Sequence, residues 1–437
     1  MRTQSILKTI AVLFMACMTL LGACSGGASD ADGARKAALE ALVSVRERAT
    51  NSDFEFYGYQ SRSDIGTEQL GLALSIRALD MDALLSNSVL TESLILDQQE
   101  YVFPVLVRDV SVSTLQVGKM DDGSWTLIET EAYTNDIDLA VKAIQSHAFD
   151  RASCYLLDLP EVELLMLGCR RSGELRLVPL YAPSAAFVID KEYRFSDIID
   201  AIKAEVLAAA DSQVEPDSLV PMAAPSLSAV RPPQAVVKAA QTKPGNSHLP
   251  IELVAQQQSQ WCWAASAEMT MRYIANKDNS PIQIPAQCAQ ASKAQDKAKF
   301  LAKHVRQDCC ANDHANASAK PCNTPWYPEY YPWGFDATWT NSNVAPTWEE
   351  LKALIDAKQP VAFLWKWKPV IKGLAHYMVA IGYSETSDHQ KVVEYLDPWP
   401  VGKGAKKTVS YDGWVGGPSA RYKHVFGSYA TDISVAK

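Results

Sequence analysis

The second half of the chain contains a cysteine in a position suited to nucleophilic chemistry. Cys262 lies between two tryptophans, at the point where small and apolar residues begin to recur at helical spacing. The positive end of a helix dipole favours thiolate over thiol, so a cysteine at a helix N-terminus is predisposed to act as a nucleophile. The alternative is that this cysteine is a plain core residue, which is the usual role of a cysteine flanked by tryptophans.

Two more residues can complete such a site. His376 lies in the run Leu374–Tyr383, which is apolar on both faces and predicts a central strand. Asp397 directly follows the next strand-like run, Lys391–Leu396. Adjacent antiparallel strands would bring imidazole and carboxylate together at one end of the sheet. There the histidine could take the thiol proton and the acid could fix the histidine tautomer.

The reaction of a thiolate with a carbonyl also needs donors for the oxyanion that forms. The backbone N–H of Cys262 is one candidate, and the side-chain amide of Gln256, six residues upstream, is the other. The nearby Gln257, Gln258 and Gln260 are assigned to the surface or to a groove.

These elements together resemble a papain-like cysteine peptidase. They are Gln256, the Trp-Cys-Trp-Ala-Ala helix start at Cys262, His376 in His-Tyr-Met-Val-Ala-Ile-Gly-Tyr, and Asp397-Pro-Trp399. More narrowly, they are similar to the bacterial branch with plant-pathogen effector cysteine peptidases and bacteriocin-processing-type domains. The resemblance covers residues 249–437 and implies an α+β fold, in which an N-terminal helix packs on an antiparallel sheet.

The resemblance also implies roles for individual residues. Cys262, His376 and Asp397 would form the triad, Gln256 would build the oxyanion hole, and Trp399 would shield the acid. Asp397 stands where papain has Asn, and no counterpart maps onto the segment of about Cys288–Asn343, so specificity is not implied.

The implied activity is hydrolysis of a peptide or protein substrate through an acyl-enzyme, with no metal and no cofactor. An amidase or transpeptidase acting on cell-wall peptides is a related alternative. A papain-like shell that binds without catalysis is the alternative from another functional class.

The remaining cysteines predict disulfides. Cys154 and Cys169 flank two apolar runs and predict a hairpin closed by a disulfide. Cys288, Cys309, Cys310 and Cys322 could form two bridges, with the adjacent pair taking different partners. Cys262 is then the odd thiol. The competing interpretation is a zinc site built from Cys309, Cys310, Cys322, His304 or His314, which an oxidising compartment disfavours.

The first thirty residues predict an export signal. Arg2 and Lys8 precede an apolar run, Ile10–Leu21, that is shorter than the ~20 residues needed to span a bilayer. Leu-Gly-Ala-Cys24 then resembles a bacterial lipoprotein signal, which implies removal of residues 1–23, acylation of Cys24 and a tether over 24–30. By the same resemblance, Ser25 favours the outer membrane of a Gram-negative-type bacterium, on its periplasmic or cell-surface side. Ordinary secretion with a free Cys24 is the alternative.

Composition divides the rest of the chain. The net charge of −9 argues against nucleic acid as a partner. The first 250 residues hold 21 Lys and Arg against 33 Asp and Glu, whereas the remainder hold 20 against 17. Mixed helical and strand-like runs predict a separate α+β domain over 31–210, which begins with a helix at Ala31–Thr50. Six prolines among small and polar residues predict an extended linker over 211–248.

The role of residues 31–210 has two interpretations. They could be an inhibitory pro-region that is released by cleavage in the linker, or a permanent spacer or partner-binding module. The opposite charges of the two halves favour intramolecular docking in either case. The membrane is expected to be contacted through the lipid anchor only.

A set of aromatic residues precedes the predicted sheet of the second half. It could line a substrate groove or pack as scaffold around the disulfides. Its members are Trp326, Tyr327, Tyr330, Tyr331 and Trp333.

Overall fold

A computed structural model gives the structure of the chain. It describes residues 26–51, 53–87, 89–132, 135–159, 162, 164–182, 186–212, 245–296, 307–311, 322–340, 344–367, 375–385, 390–417 and 424–436. The predicted signal peptide, Cys24, most of the predicted linker, His304 and His314 lie outside these residues. Among the residues that are described, no helix is long and apolar enough to cross a membrane.

The fold is mixed α+β. Its helices are α1 (Gly26–Asn51), α2 (Met81–Ser86), α3 (Asn135–Ser146), α4 (Phe195–Ser212), α5 (Cys262–Lys277), α6 (Gln287–Ala294), α7 (Trp348–Asp356) and α8 (Tyr411–Trp414). Its strands are β1 (Gln69–Leu70), β2 (Leu74–Leu79), β3 (Ile95–Val107), β4 (Val110–Lys119), β5 (Trp125–Ala132), β6 (Cys154–Leu159), β7 (Leu164–Arg171), β8 (Glu174–Tyr181), β9 (Tyr193–Arg194), β10 (Asn246–His248), β11 (Phe335–Thr340), β12 (Val361–Trp367), β13 (Ala375–Glu385), β14 (Lys391–Asp397), β15 (Ala405–Ser410) and β16 (His424–Val435).

Local sequence signals explain the helices α1 and α7. In α1, Ala38, Leu42, Val45 and Ala49 recur three and four residues apart, and all four are buried. This apolar stripe packs α1 against β3, β4 and β5. At α7, Thr347 accepts from the N–H of Glu350 while the Glu350 carboxylate accepts from the N–H of Thr347, which makes a capping box.

The strands form one continuous sheet rather than two. The order is β11-β16-β12-β13-β14-β15-β5-β4-β3-β2-β6-β7-β8-β9, with β1 beside β3 and β10 beside β13. Every described pair is antiparallel except β2 with β6. The disulfide between Cys154 and Cys169 joins directly opposed residues of β6 and β7, as the hairpin pattern predicts.

The two halves of the chain meet where β15 pairs with β5. Lys407 lies opposite Glu131, and Thr408 lies opposite Thr130, whose hydroxyls share a buried 2.7 Å hydrogen bond. One core also spans the junction, since apolar side chains of α1, β3 and β4 pack in the same cluster as those of β12 and β13. The sequence predicts a separate N-terminal domain, and the structure differs because two strands continue one sheet across the boundary.

A buried carboxylate of β14 makes a second connection between the halves. Glu394 accepts from the hydroxyl of Tyr57 at 2.6 Å and lies 2.6 Å from Nδ1 of His248. His248 belongs to β10, so the end of the predicted linker is a strand that pairs with β13. The absence of a side chain at Gly382 of β13 makes space for the Glu394 carboxylate, because a Cβ there would lie 2.4 Å from it.

The hydroxyl pair at the junction allows a test of the continuous sheet. Replacing Thr130 by Val leaves the buried Thr408 hydroxyl without this partner, so we expect the free energy of unfolding to fall by about 1–3 kcal/mol. Thr408→Val should cost a similar amount. The double variant should cost little more than either single change, since each removes the same bond. Urea titration of the four proteins measures the coupling, and strictly additive losses would show that the two strands are not paired.

Candidate active site

Cys262 is the first residue of α5, and its thiol is half-buried and in no disulfide. The helix packs against β13 and β16 through Ala264, Ala267, Met271 and Ile274, which are fully buried, as the predicted stripe requires. The first N–H groups of a helix have no acceptor within the helix, so the thiol lies at the positive end of the dipole.

The two tryptophans beside Cys262 fix the start of the helix. The indole N–H of Trp261 donates to the carbonyl of Cys322 at 2.9 Å, and that of Trp263 donates to the carbonyl of Thr324 at 3.2 Å. Both rings are buried. The loop before the helix is held by the same segment, because Asn323 accepts from the N–H of Gln260. The position of the thiol therefore depends on residues 322–324.

Two disulfides fasten that segment to α6. They join Cys309 to Cys322 and Cys288 to Cys310, so the two adjacent cysteines take different partners as predicted. The three cysteines of the alternative zinc site are all disulfide-bonded here. Within the described ranges, no three His, Cys, Asp or Glu side chains are grouped so that they could hold a metal ion.

His376 and Asp397 lie side by side at one end of the sheet. Val379 of β13 is opposite Leu396 of β14, and this register brings the start of one strand beside the end of the other. Nε2 of His376 is 2.6 Å from Oδ1 of Asp397. Only 17% of the histidine side chain and 8% of the aspartate side chain are exposed, so the pair is shielded from solvent screening.

Cys262 and Asp397 both act on the charge state of His376. Burial alone opposes a charged imidazole, but the Asp397 carboxylate and the Cys262 thiol, each through charge and a hydrogen bond, raise the pKa of His376 to about 10. For Asp397, burial acts against ionisation, yet the His376 charge, Lys407 and two hydrogen bonds lower its pKa to about 2. Since Nε2 faces Asp397, Nδ1 is the ring nitrogen that bonds with the sulfur. The arrangement favours a thiolate–imidazolium pair.

Trp399 contacts the acid through its backbone. Its N–H donates to Oδ1 of Asp397 at 2.9 Å, the oxygen that also faces His376. The indole is half-buried, and Tyr181 of β8 packs against it edge to face at 4.7 Å between ring centroids. The family resemblance implies that Trp399 shields the acid, and in the structure its backbone also donates a hydrogen bond to that acid.

Gln256 is fully buried and tied to the loop after β14. Its N–H donates to the carbonyl of Pro398 at 2.9 Å, and its carbonyl accepts from the N–H of Gly402 at 2.8 Å. The side-chain Nε2 donates to the carbonyls of Gln258 and Ser259, at 3.0 and 2.9 Å. A side-chain amide has two N–H donors and both are used here, so Gln256 can donate to an oxyanion only if one of these two bonds breaks.

Sequence reasoning missed Lys407, whose ammonium lies next to the acid. Its Nζ is 3.4 Å from Oδ2 of Asp397, and only 9% of its side chain is exposed. It is the second of two adjacent lysines in β15, a pattern that usually marks a solvated strand. Alternation along a strand could have shown that one of the two must point inward.

The aromatic set proves to be mixed. Tyr330 is buried, and its hydroxyl accepts from Thr270 of α5 at 3.1 Å. Trp326 is also buried, donates to Glu329 at 2.7 Å and stacks on Tyr327. These contacts are scaffold packing, as one of the two interpretations expected. Tyr331 is 82% exposed and remains available to a groove.

Comparisons with solved structures find distant matches to plant cysteine proteases. The recombinant stem bromelain precursor is 16% identical and matches with a TM-score of 0.29 over 48% of this chain and 75% of its own. The proform of the ragweed pollen cysteine protease Amb a 11 is 14% identical, with a TM-score of 0.28 over 44% of this chain and 67% of its own. No curated protein sequence matches the chain. The sequence model of the Peptidase_C39-like family matches residues 248–423, so this part of the chain, less than half of its length, is similar to that family.

Proposed function

We propose that this chain is a papain-like cysteine peptidase that hydrolyses peptide bonds through Cys262, His376 and Asp397. The observation that carries the proposal is the imidazole of His376, which lies 2.6 Å from a buried carboxylate and is hydrogen-bonded to a half-buried thiol. The similarity of residues 248–423 to the Peptidase_C39-like family supports the same reaction class.

The first half of the reaction is acyl transfer to sulfur. The Cys262 thiolate attacks the scissile carbonyl carbon, and the carbonyl π electrons move to oxygen to form an oxyanion. When the tetrahedral intermediate collapses, the C–N bond breaks and the His376 imidazolium gives its proton to the leaving amine. A thioester to Cys262 remains, and Asp397 keeps the histidine in the tautomer that the second half requires.

The second half returns the enzyme to its starting state. Neutral His376 takes a proton from water, and the hydroxide equivalent attacks the acyl carbon of the thioester. The bond between this carbon and Sγ of Cys262 then breaks, which releases the carboxylic acid product and restores the thiolate. The oxyanion of both intermediates lies near the start of α5, where helix N–H groups are free to donate. Gln256 would join them by exchanging one of its two loop bonds.

We also propose that the chain is an exported lipoprotein, anchored at Cys24 in the outer membrane of a Gram-negative-type bacterium. Three disulfides among the described residues are compatible with an oxidising compartment, and they spare Cys262 as the reactive thiol. The signal and its cysteine lie outside the described residues, so this proposal depends on the sequence pattern.

An epoxysuccinyl inhibitor of papain-like peptidases tests the activated thiolate. We expect one covalent adduct, on Cys262, when the chain from Ser25 is produced in an oxidising host and examined by mass spectrometry. His376→Ala should slow the labelling at least about 100-fold, because the imidazole that holds the thiol proton is gone.

A histidine far from the site provides the matched control. His147→Ala, in the first half of the chain, should label at the rate of the unchanged protein. Equal labelling of Cys262 in the His376→Ala protein would contradict the thiolate–imidazolium pair. Absence of any adduct on the folded protein would favour the binding-shell alternative.

The pKa of His376 gives a prediction with a definite sign. With the pKa raised to about 10, the imidazolium persists at neutral pH and loses its proton only as the pH rises through that value. Asp397→Asn removes the largest influence that raises it, so the pKa should fall. Histidine labelled with ¹³C at Cε1 reports the titration by NMR, and His376→Gln identifies the signal among the seven histidines.

The same ion pair makes stability depend on pH. The histidine contribution is complete below the ordinary pKa of 6.5 and disappears as the pH rises through about 10. The aspartate contribution is complete above the ordinary 3.8 and disappears as the pH falls through about 2. The stability difference between the unchanged protein and Asp397→Asn should therefore be largest between these ordinary values, and an unchanged His376 titration in Asp397→Asn would contradict the pairing.

The lipid anchor can be tested apart from catalysis. Growth of producing bacteria with radioactive palmitate should label the chain, and Cys24→Ser should abolish the label because the acylated thiol is missing. Cys17→Ser is the matched control, since this cysteine lies within the segment that would be removed. Palmitate on the Cys24→Ser protein would contradict the assigned site.

A further inference from the structure

The face of the sheet that carries the candidate triad continues into the first half of the chain. Lys407 of β15 is opposite Tyr395 of β14 on one side and opposite Glu131 of β5 on the other. Side chains alternate along a strand, so Asp397, two residues after Tyr395, shares this face. So does Glu129, two residues before Glu131. A row of charged side chains therefore crosses the junction between the two halves.

The distances show that the row is connected. The Lys407 ammonium lies 3.4 Å from Oε1 of Glu129, 3.5 Å from Oε2 of Glu131 and 3.4 Å from Oδ2 of Asp397. Glu129 and Lys407 have only 5% and 9% of their side chains exposed. A buried ammonium is stable only when anions and hydrogen bonds replace its water. Of its three acids, two come from the first half of the chain.

The two oxygens of Asp397 have different partners. Oδ1 faces Nε2 of His376 at 2.6 Å and accepts from the N–H of Trp399 at 2.9 Å, whereas Oδ2 faces the Lys407 ammonium. A carboxylate held at one oxygen only can rotate about its last bond. The cation at the second oxygen removes that freedom, so it sets the plane in which the imidazole is held.

We propose that Lys407, held in place by Glu129 and Glu131 of the first half of the chain, is a positioning residue that orients Asp397 in the candidate triad. This inference rests on the proposed peptidase function and adds a dependence of the site on residues 129 and 131. Both acids, together with Asp397 and Tyr395, favour the charged ammonium and raise the pKa of Lys407 against the opposing effect of burial.

Two further contacts between the halves support this arrangement. The hydroxyl of Tyr395, a fully buried residue, lies 2.7 Å from Oε1 of Glu129, so this carboxylate is itself held in position. On the other side of the acid, Tyr181 packs against Trp399, whose N–H bonds to Asp397. The first half thus contacts Lys407 and Trp399, two of the three groups that hold Asp397.

The position of Lys407 distinguishes the two interpretations of the first half. A pro-region that masks the site would release activity when it is lost. Glu129 and Glu131 instead support the group that orients the acid, so their loss should lower the reactivity of Cys262. The first half then acts as a permanent part of the active enzyme and not as a masking pro-region.

The rate of labelling by the epoxysuccinyl inhibitor measures the effect without a known substrate. In the full chain from Ser25, Lys407→Met should lower the second-order rate constant about tenfold or more, because a displaced acid misplaces the imidazole. Lys407→Arg should recover most of the rate, since it restores a cation in the same place. Lys406→Met is the matched control on the opposite face of β15 and should label at the unchanged rate.

A second pair of variants distinguishes positioning from a general loss of structure. If Lys407 acts through Asp397, then in the Asp397→Asn protein the further change Lys407→Met should alter the rate by less than about twofold. An equal tenfold loss in both backgrounds would overturn the inference. Glu129→Gln keeps an acceptor for Tyr395 and removes one charge, so it should give an intermediate loss, which tests the same chain of contacts if Lys407→Met does not fold.

The outcomes also separate this inference from the proposed function. Failure of the unchanged protein to label at Cys262 would contradict the peptidase proposal itself. Normal labelling of the unchanged protein together with equal labelling of folded Lys407→Met would leave the peptidase proposal intact and overturn the role of Lys407.

Discussion

The buried carboxylate of Asp397 is the constraint on which the site depends. Removal of an ionised carboxylate from water costs several kcal/mol unless charges and donors replace the solvent. Here His376, Lys407 and the N–H of Trp399 replace it. Because Lys407 is buried as well, its own charge requires further acids, which β5 provides. One desolvated group at the end of β14 thus couples the strands β13, β14, β15 and β5.

This coupling makes the register of the sheet part of the chemistry. A shift of β15 by one residue would turn Lys407 to the opposite face of the sheet. Asp397, Glu129 and Glu131 would then lose the ammonium that lies between them. On that opposite face β14 presents a second buried acid, Glu394, with partners in β10 and near the first helix. With an acid satisfied on each face, β14 can accept only one alignment with its neighbours. The buried polar groups therefore specify the register of β14 with its neighbouring strands more narrowly than the apolar core alone would.

The sequence was sufficient where the structure depends on local or consecutive elements. Cys262 could be assigned to a helix start from residue spacing, and His376 and Asp397 could be paired because β13 and β14 follow one another in the chain. The contact between β5 and β15 joins segments that lie far apart in sequence, and no periodicity encodes it. Lys407 was missed for this reason, as was the continuity of the sheet. The amide of Gln256 could be located by its offset from Cys262, but its bonds to Gln258 and Ser259 depend on a loop conformation that residue types do not dictate.

The pairing of β5 with β15 has a consequence for the fate of a cleaved chain. Residues 213–244 connect the halves covalently, whereas the sheet, the shared core and the cluster around Glu394 connect them without that segment. A cut in the connecting segment would therefore produce two polypeptides that remain associated, because β5 of the first fragment would still pair with β15 of the second. Such a protein behaves as a nicked heterodimer. Its halves would separate only when the sheet itself is unfolded.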